Sequence, residues 1–309
     1  MKTHALKTAF LLLLMTLFIG CGGSEATENS GQLRILATTG QIADAAANIA
    51  GDSATVQGLF GPGVDPHLYV PTEGDVSRVG EADVIFYNGL HLEAQMTRIM
   101  NQMAQAGKIV VALGDELPEE QLLTWSDNTP YDPHFWNDPA LFAQAVAIMR
   151  DTLIEADPAN AESYRANAEA YLTEIEATND FVAEQIDRIP EDKRVMITAH
   201  DAFGYFGRAF GLEVRGLQGI STETEAGTND VQQLAAFIAE RQIPAIFVES
   251  SVPPNTIEAV QAAVSAQGFN VAIGGELYSD ALGTAGTPEG TYLGMLRHNA
   301  QTLADALSQ

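Results

Sequence analysis

The sequence predicts an α/β protein of two lobes, each a parallel sheet flanked by helices, joined by one long rigid helix. Three observations carry that expectation. Short, continuously apolar runs recur along the chain without polar alternation, as parallel strands covered on both faces require. Helical patterns separate these runs, and the alternation of the two is the mark of α/β organisation. Between two such stretches lies a single long helical stripe, residues 157–190, with strand material on both sides.

Taken in order, the chain opens on MKTHALKTAFLLLLMTLFIG, where Lys2 and Lys7 precede an eleven-residue apolar run from Ala9 to Ile19. A bilayer span needs about 20 residues, so the run suits the core of a secretory signal, residues 1–20. It ends Phe18-Ile19-Gly20-Cys21, which resembles a bacterial lipobox with Phe18 where leucine is usual. Cys21 would then be lipidated and become the mature N-terminus. Residues 21–32 are small and polar and read as a tether. The expected product is exported and held to a membrane of the cell envelope by its lipid.

The first lobe is placed at 33–156, with strands at Leu33–Thr38, Val84–Tyr87 and Ile109–Leu113 and a helix from Met96 to Gln105, closed by Gly107. Asp157-Pro158 supplies a helix start. Apolar or aromatic residues then follow at Tyr164, Ala168, Tyr171, Ile175, Val182, Ile186 and Ile189 until Pro190 ends the pattern. Such a helix would be about 45 Å long. The second lobe, 191–309, holds strands at Val195–Thr198, Ala245–Val248 and Asn270–Ile273, and a helix at Thr256–Ala266 closed by Gly268.

Composition narrows the function. With 15 Lys+Arg against 41 Asp+Glu the net charge is −26, and it becomes 13 − 41 = −28 once Lys2 and Lys7 leave with the signal. Phosphate backbones repel such a chain, so nucleic acid is excluded as a partner. The single cysteine permits no internal disulfide and no thiolate metal cage.

Six histidines are present; His4 lies in the signal. His67 (GPGVDPHLY), His134 (YDPHFWNDP) and His200 (ITAHDAFGYF) occur in loops rich in turn residues, acids and aromatics. His200 directly follows an apolar strand, where open α/β sheets bind ligands. Imidazole is the commonest transition-metal ligand, but a lone loop histidine is more often structural, and no short motif such as HExxH is present. His91 reads as a packing or hydrogen-bonding residue, His298 as solvated, and Trp125 and Trp136 as core or lobe-packing residues.

The segment from TTGQIADAAANIAGD through GPGVDPHLYVPTEGDVSRVGEADVIFYNGLHLEAQM resembles the zinc/manganese solute-binding proteins of ABC transporters. YDPHFWNDP, TAHDAFGYFGRAFGL, IFVESSVPPNTIEAV and LYSDALG continue the likeness in order. The resemblance spans nearly all of 33–309 and implies two α/β lobes, a stiff connecting helix and a metal in the cleft between them. Carried over by motif, the ligands would be His67 and His134 from the first lobe and His200 and Asp280 from the second. Asp65, Asp138, Asp201 and Glu249 become candidates to accept the imidazoles' second N–H, with ordinary turn capping as the alternative for each.

The resemblance implies a monomeric carrier, not an enzyme, that binds Zn2+ or Mn2+ as cargo and passes it to a permease and its ATPase. Histidine at the third ligand position favours zinc. The His-rich loop of zinc-dedicated members is missing, since residues 92–133 contain no histidine. An adhesin or signalling lipoprotein with a structural metal is the alternative.

Overall fold

In the computed structural model, residues 31–125 and 131–308 are described. The signal, Cys21 and all but the end of the tether lie outside them. The elements run β1 (Leu33–Ala37), α1 (Gly40–Ala50), β2 (Ala54–Gly58), α2 (Glu73–Glu81), β3 (Val84–Tyr87), α3 (Thr97–Gln105), β4 (Ile109–Ala112), α4 (Pro139–Ala156) and α5 (Ala161–Asp187). They continue with β5 (Val195–Thr198), α6 (Gly204–Phe210), β6 (Glu213–Gly216), α7 (Thr228–Arg241), β7 (Ala245–Glu249), α8 (Asn255–Ala266), β8 (Ala272–Leu277) and α9 (Tyr292–Leu307). No helix among the described residues is long and apolar enough to cross a membrane.

All strand pairings between these elements are parallel. The N-terminal half forms a four-stranded sheet in the order β2-β1-β3-β4; the C-terminal half pairs β5 with β6 and β7 with β8. Helices flank these sheets, so the α/β class expected from the alternation is the one observed.

Two strands escape the apolar-run criterion. β2 (ATVQG) and β6 (EVRG) each pair along one edge only, and most of their residues stay partly or fully exposed. An edge strand covered on one face can carry polar residues, so it shows no continuous apolar run. β8 is also displaced: it starts at Ala272 and runs on through two glycines to Leu277, where Asn270–Ile273 was expected. Gly274 is required there, because a Cβ would meet the Phe247 ring at 2.7 Å. The pairing with β7 shifts register beside it, between Ile246 and Phe247.

Helix α5 has 27 residues, about 40 Å. Pro158–Asn160 forms a separate 3-10 turn before it, so the α-helix begins at Ala161, three residues later than the first helical position that the Asp157-Pro158 signal implied. Every residue of the expected stripe, Tyr164 through Ile189, is buried. The stripe meets α1 and α4 from the N-terminal half and α9 from the C-terminal half. Polar ties fix it at both: Tyr171 donates to Asp44 Oδ2 at 3.0 Å, and Arg297 donates to Thr178 Oγ1 at 3.0 Å. The largest core cluster runs continuously from Ile35 on β1 through this stripe to Leu307 on α9.

Candidate metal centre

Four side chains from four separate segments meet at the carboxyl ends of the strands. His67 lies between β2 and α2, and His134 between β4 and α4. His200 lies two residues past β5, and Asp280 three past β8. All are buried, at 3%, 0%, 0% and 2% exposure. One ligand atom from each lies within 4.8 Å of the others.

The separations fit a small divalent ion. His67 Nε2 is 3.2 Å from His134 Nε2, His134 Nε2 is 3.5 Å from Asp280 Oδ1, and His200 Nε2 is 3.2 Å from Asp280 Oδ2. His67 Nε2 stands 3.8 Å from Asp280 Oδ2. Tetrahedral coordination with bonds of about 2.0–2.1 Å puts neighbouring donors about 3.3 Å apart. Both Asp280 oxygens and His200 Nε2 are buried without a hydrogen-bond partner, an expensive arrangement unless a cation occupies the space between them.

The backbone that aims these groups is itself fixed. The Glu249 carboxylate, at the end of β7, accepts the His200 backbone N–H at 2.8 Å. Its other oxygen stands 2.7 Å from His200 Nδ1, a close ionic contact rather than an aligned hydrogen bond. Asp132 Oδ1 takes both the backbone N–H of His134, at 2.9 Å, and its Nδ1, at 2.7 Å. Carboxylates on Nδ1 leave Nε2 as the free ligand nitrogen in both rings. Gly216 lets β6 pass against the His200 turn, since a Cβ there would fall 2.4 Å from the Asp201 amide nitrogen.

Charges within the cluster act on one another. Burial lowers the pKa of His67 to about 3, helped by His134 and His200 and opposed by Asp280. Burial also opposes a charge on His200, but Glu249 and Asp280 outweigh it and hold its pKa well above the ordinary value. The imidazoles, His200 foremost, overcome burial at Asp280 and keep that carboxyl ionised far below the usual range.

Of the four acids proposed to accept imidazole protons, the structure puts only Glu249 against a ring. Asp138 instead caps α4, accepting Ala140 N–H at 2.9 Å, and pairs with Arg208 at 3.2 Å. Pro139 at the first helical position makes Asp138 the N-cap, so its carboxylate goes to the open amides of α4. Among the described residues no hydrogen bond or ion pair joins Asp201 to a histidine; burial raises its pKa, Asp132 nearby adds to the effect, and the charges of His134 and His200 oppose it. Asp65 accepts the His67 backbone N–H at 2.8 Å and the Thr222 hydroxyl at 2.6 Å.

The acid that sequence reasoning missed is Asp132, although the repeated Asp-Pro-His of 65–67 and 132–134 was a usable signal. Two histidines also differ from expectation. His91 is exposed and sits on a left-handed run, φ +67°, instead of packing. His298 is half-buried, with Nε2 3.0 Å from the Glu276 carbonyl and its ring against Tyr278. Trp136 is core, as expected, and donates to the Ser279 carbonyl at 3.0 Å, beside Asp280.

Parallel sheets spanned by a long helix, with three imidazoles and a carboxylate converging at the strand ends, define a metal-binding solute-binding protein. The chain belongs to the family described as zinc-uptake complex component A, periplasmic, which it matches over residues 35–306. Among its relatives, the zinc-binding protein TroA of Treponema pallidum is 44% identical over 296 residues, 96% of each chain. The manganese-binding lipoprotein MntA of Bacillus subtilis is 43% identical over 289 residues, 93% of this chain and 94% of that one. The solved structure of the Treponema pallidum periplasmic zinc-binding protein TroA superimposes with a TM-score of 0.88 at 46% identity, covering 90% of this chain and 100% of that one. Members of the family are substrate-binding proteins for ABC metal transport, not enzymes.

Proposed function

We propose that the chain captures one divalent transition-metal ion outside the cytoplasm, on His67, His134, His200 and Asp280, and delivers it to an ABC permease driven by its ATPase. The observation that carries this reading is the buried four-donor cluster with unpartnered carboxylate oxygens. Zinc is favoured over manganese, because three imidazoles suit the softer ion and the Irving–Williams order places zinc above manganese. The relatives' names divide between the two metals.

Capture proceeds by exchange of the ion's water shell for donors from both halves of the chain. The rings of His134 and His200 face it with Nδ1 against Asp132 and Glu249, so little reorientation accompanies binding. The segments 33–156 and 191–309 act as lobes about the 157–190 connector, whose packing on α1, α4 and α9 limits the hinge to small angles. Lipidation of Cys21, after removal of residues 1–20, holds the carrier beside its permease; relatives named as lipoproteins support this.

Elemental analysis of the purified chain with zinc against manganese competition tests the reading. One ion per chain and tighter zinc binding are expected. Absence of bound metal would remove the proposed cargo, and tighter manganese binding would reverse the preference.

A further inference from the structure

We propose that the Asp65–Thr222 hydrogen bond is a latch that holds the His67 loop closed over the site and sets the rate at which a bound ion leaves; this rests on the metal-carrier reading above. A single carboxylate makes the connection. Asp65 Oδ1 fixes the His67 backbone N–H at 2.8 Å, while Oδ2 accepts the Thr222 hydroxyl at 2.6 Å, across 157 positions of sequence. The loop that bears a ligand in the N-terminal half is thereby tied to the loop between β6 and α7 in the C-terminal half.

Thr222 is suited to this because its own loop is anchored on the opposite side of the site. Leu217 N–H donates to the Thr198 carbonyl at 3.0 Å, Gln218 N–H to Ala199 at 2.9 Å, and Asp201 N–H to Gly219 at 3.2 Å. These bonds bracket His200. Thr222 is 6% exposed, so water competes poorly for its hydroxyl. Opening the latch separates the segment of His67 from the segment of His200.

His67 is also the ligand with the least support of its own. Asp132 stands against the His134 ring and Glu249 against the His200 ring. Among the described residues no carboxylate other than Asp280, itself in the cluster, lies within 4.0 Å of a His67 ring nitrogen. Immediately beyond it, Leu68 and Val70 are 54% and 71% exposed, so this loop borders solvent. An ion leaves most easily by losing His67 first, and the latch opposes that movement.

The test uses the full chain loaded with one equivalent of Zn2+, mixed with excess chelator and followed by stopped flow. Thr222→Val keeps the side chain's shape and removes the donor. A hydrogen bond to a carboxylate corresponds to about tenfold or more in rate when it must break. Release about tenfold faster in Thr222→Val, wild-type release in Thr222→Ser, and a cooperative melting transition in both metal-free variants are expected. Wild-type release from Thr222→Val, or failure of Thr222→Ser to restore the slow rate, would overturn the latch while leaving the carrier reading intact. A wild-type chain that retains no Zn2+ would overturn both.

Discussion

Asp65-Pro66-His67 and Asp132-Pro133-His134 are the same three residues in the same order, and the fold puts them to different use. In both, the aspartate accepts the backbone N–H of the histidine two residues on, at 2.8 and 2.9 Å. In the second motif the same carboxylate also holds the imidazole, so His134 is aimed by its own turn. In the first, the remaining oxygen goes to Thr222 in the distant half of the chain. Local sequence thus sets the turn, while tertiary surroundings decide whether the acid orients a ligand or joins two segments. On the latch proposed above, His134 is the rigid side of the site and His67 the side that depends on closure.

The largest expected effect treats the two motifs alike. Removal of a ligand, as His134→Ala or His67→Ala, should weaken zinc binding by about two to three orders of magnitude, one donor's share of the roughly 10–16 kcal/mol seen for four-ligand zinc sites. Calorimetric titration checks it, and wild-type affinity in either variant would remove that histidine from the site. Next, the acids should separate. Asp132→Asn is expected to cost about 10- to 100-fold in affinity, as losses of imidazole partners do. Asp65→Asn, which touches no ring, should cost less at equilibrium. Equal losses would erase the distinction between the motifs.

Acidity sharpens the comparison from the histidines' side. With its pKa raised by Glu249 and Asp280 against burial, His200 holds its second proton more tightly than a free imidazole does, and the metal must displace that proton. His67, depressed to about 3 by burial, carries no such proton at neutral pH. Affinity should therefore fall as pH falls from 8 to 6, by up to about tenfold per unit for one displaced proton. Competition titrations at three pH values read the slope, and a flat profile would contradict ligation through His200. For the metal-free fold the signs oppose. Stabilisation from His200 is full below its unfolded pKa of about 6.5 and fades as pH rises through its folded value. His67 withdraws stability as pH drops from about 6.5 toward 3.

The smallest effect belongs to an acid that only resembles the others in sequence. Asp138→Ala removes the α4 cap and the Arg208 pair. It should lower stability by about 1 kcal/mol, a melting shift of about 2–4 °C, with metal affinity unchanged. A fall in affinity would place Asp138 in the site after all.

What was legible followed burial. Strands covered on both faces, such as VIFY and VMIT, announced themselves as apolar runs and occur at the expected residues. The one-sided strands β2 and β6 did not, because their exposed faces accept polar residues. The stripe of α5 was readable as a 3.6-residue period, but the division of its start between a 3-10 turn and the α-helix was not. Among site residues, the four that converge were named from their motifs. Which carboxylate serves which ring depends on contacts such as Glu249 with His200, 49 positions apart, and no local pattern reports that. Asp132 could have been found by taking the repeated Asp-Pro-His at face value.

One ion should sit among His67, His134, His200 and Asp280. Anomalous diffraction at the zinc edge, on crystals of the zinc-loaded chain, tests it most directly. One strong peak is expected about 2.0–2.2 Å from the three Nε2 atoms and an Asp280 oxygen. A peak elsewhere, or coordination that leaves out two of these side chains, would contradict it.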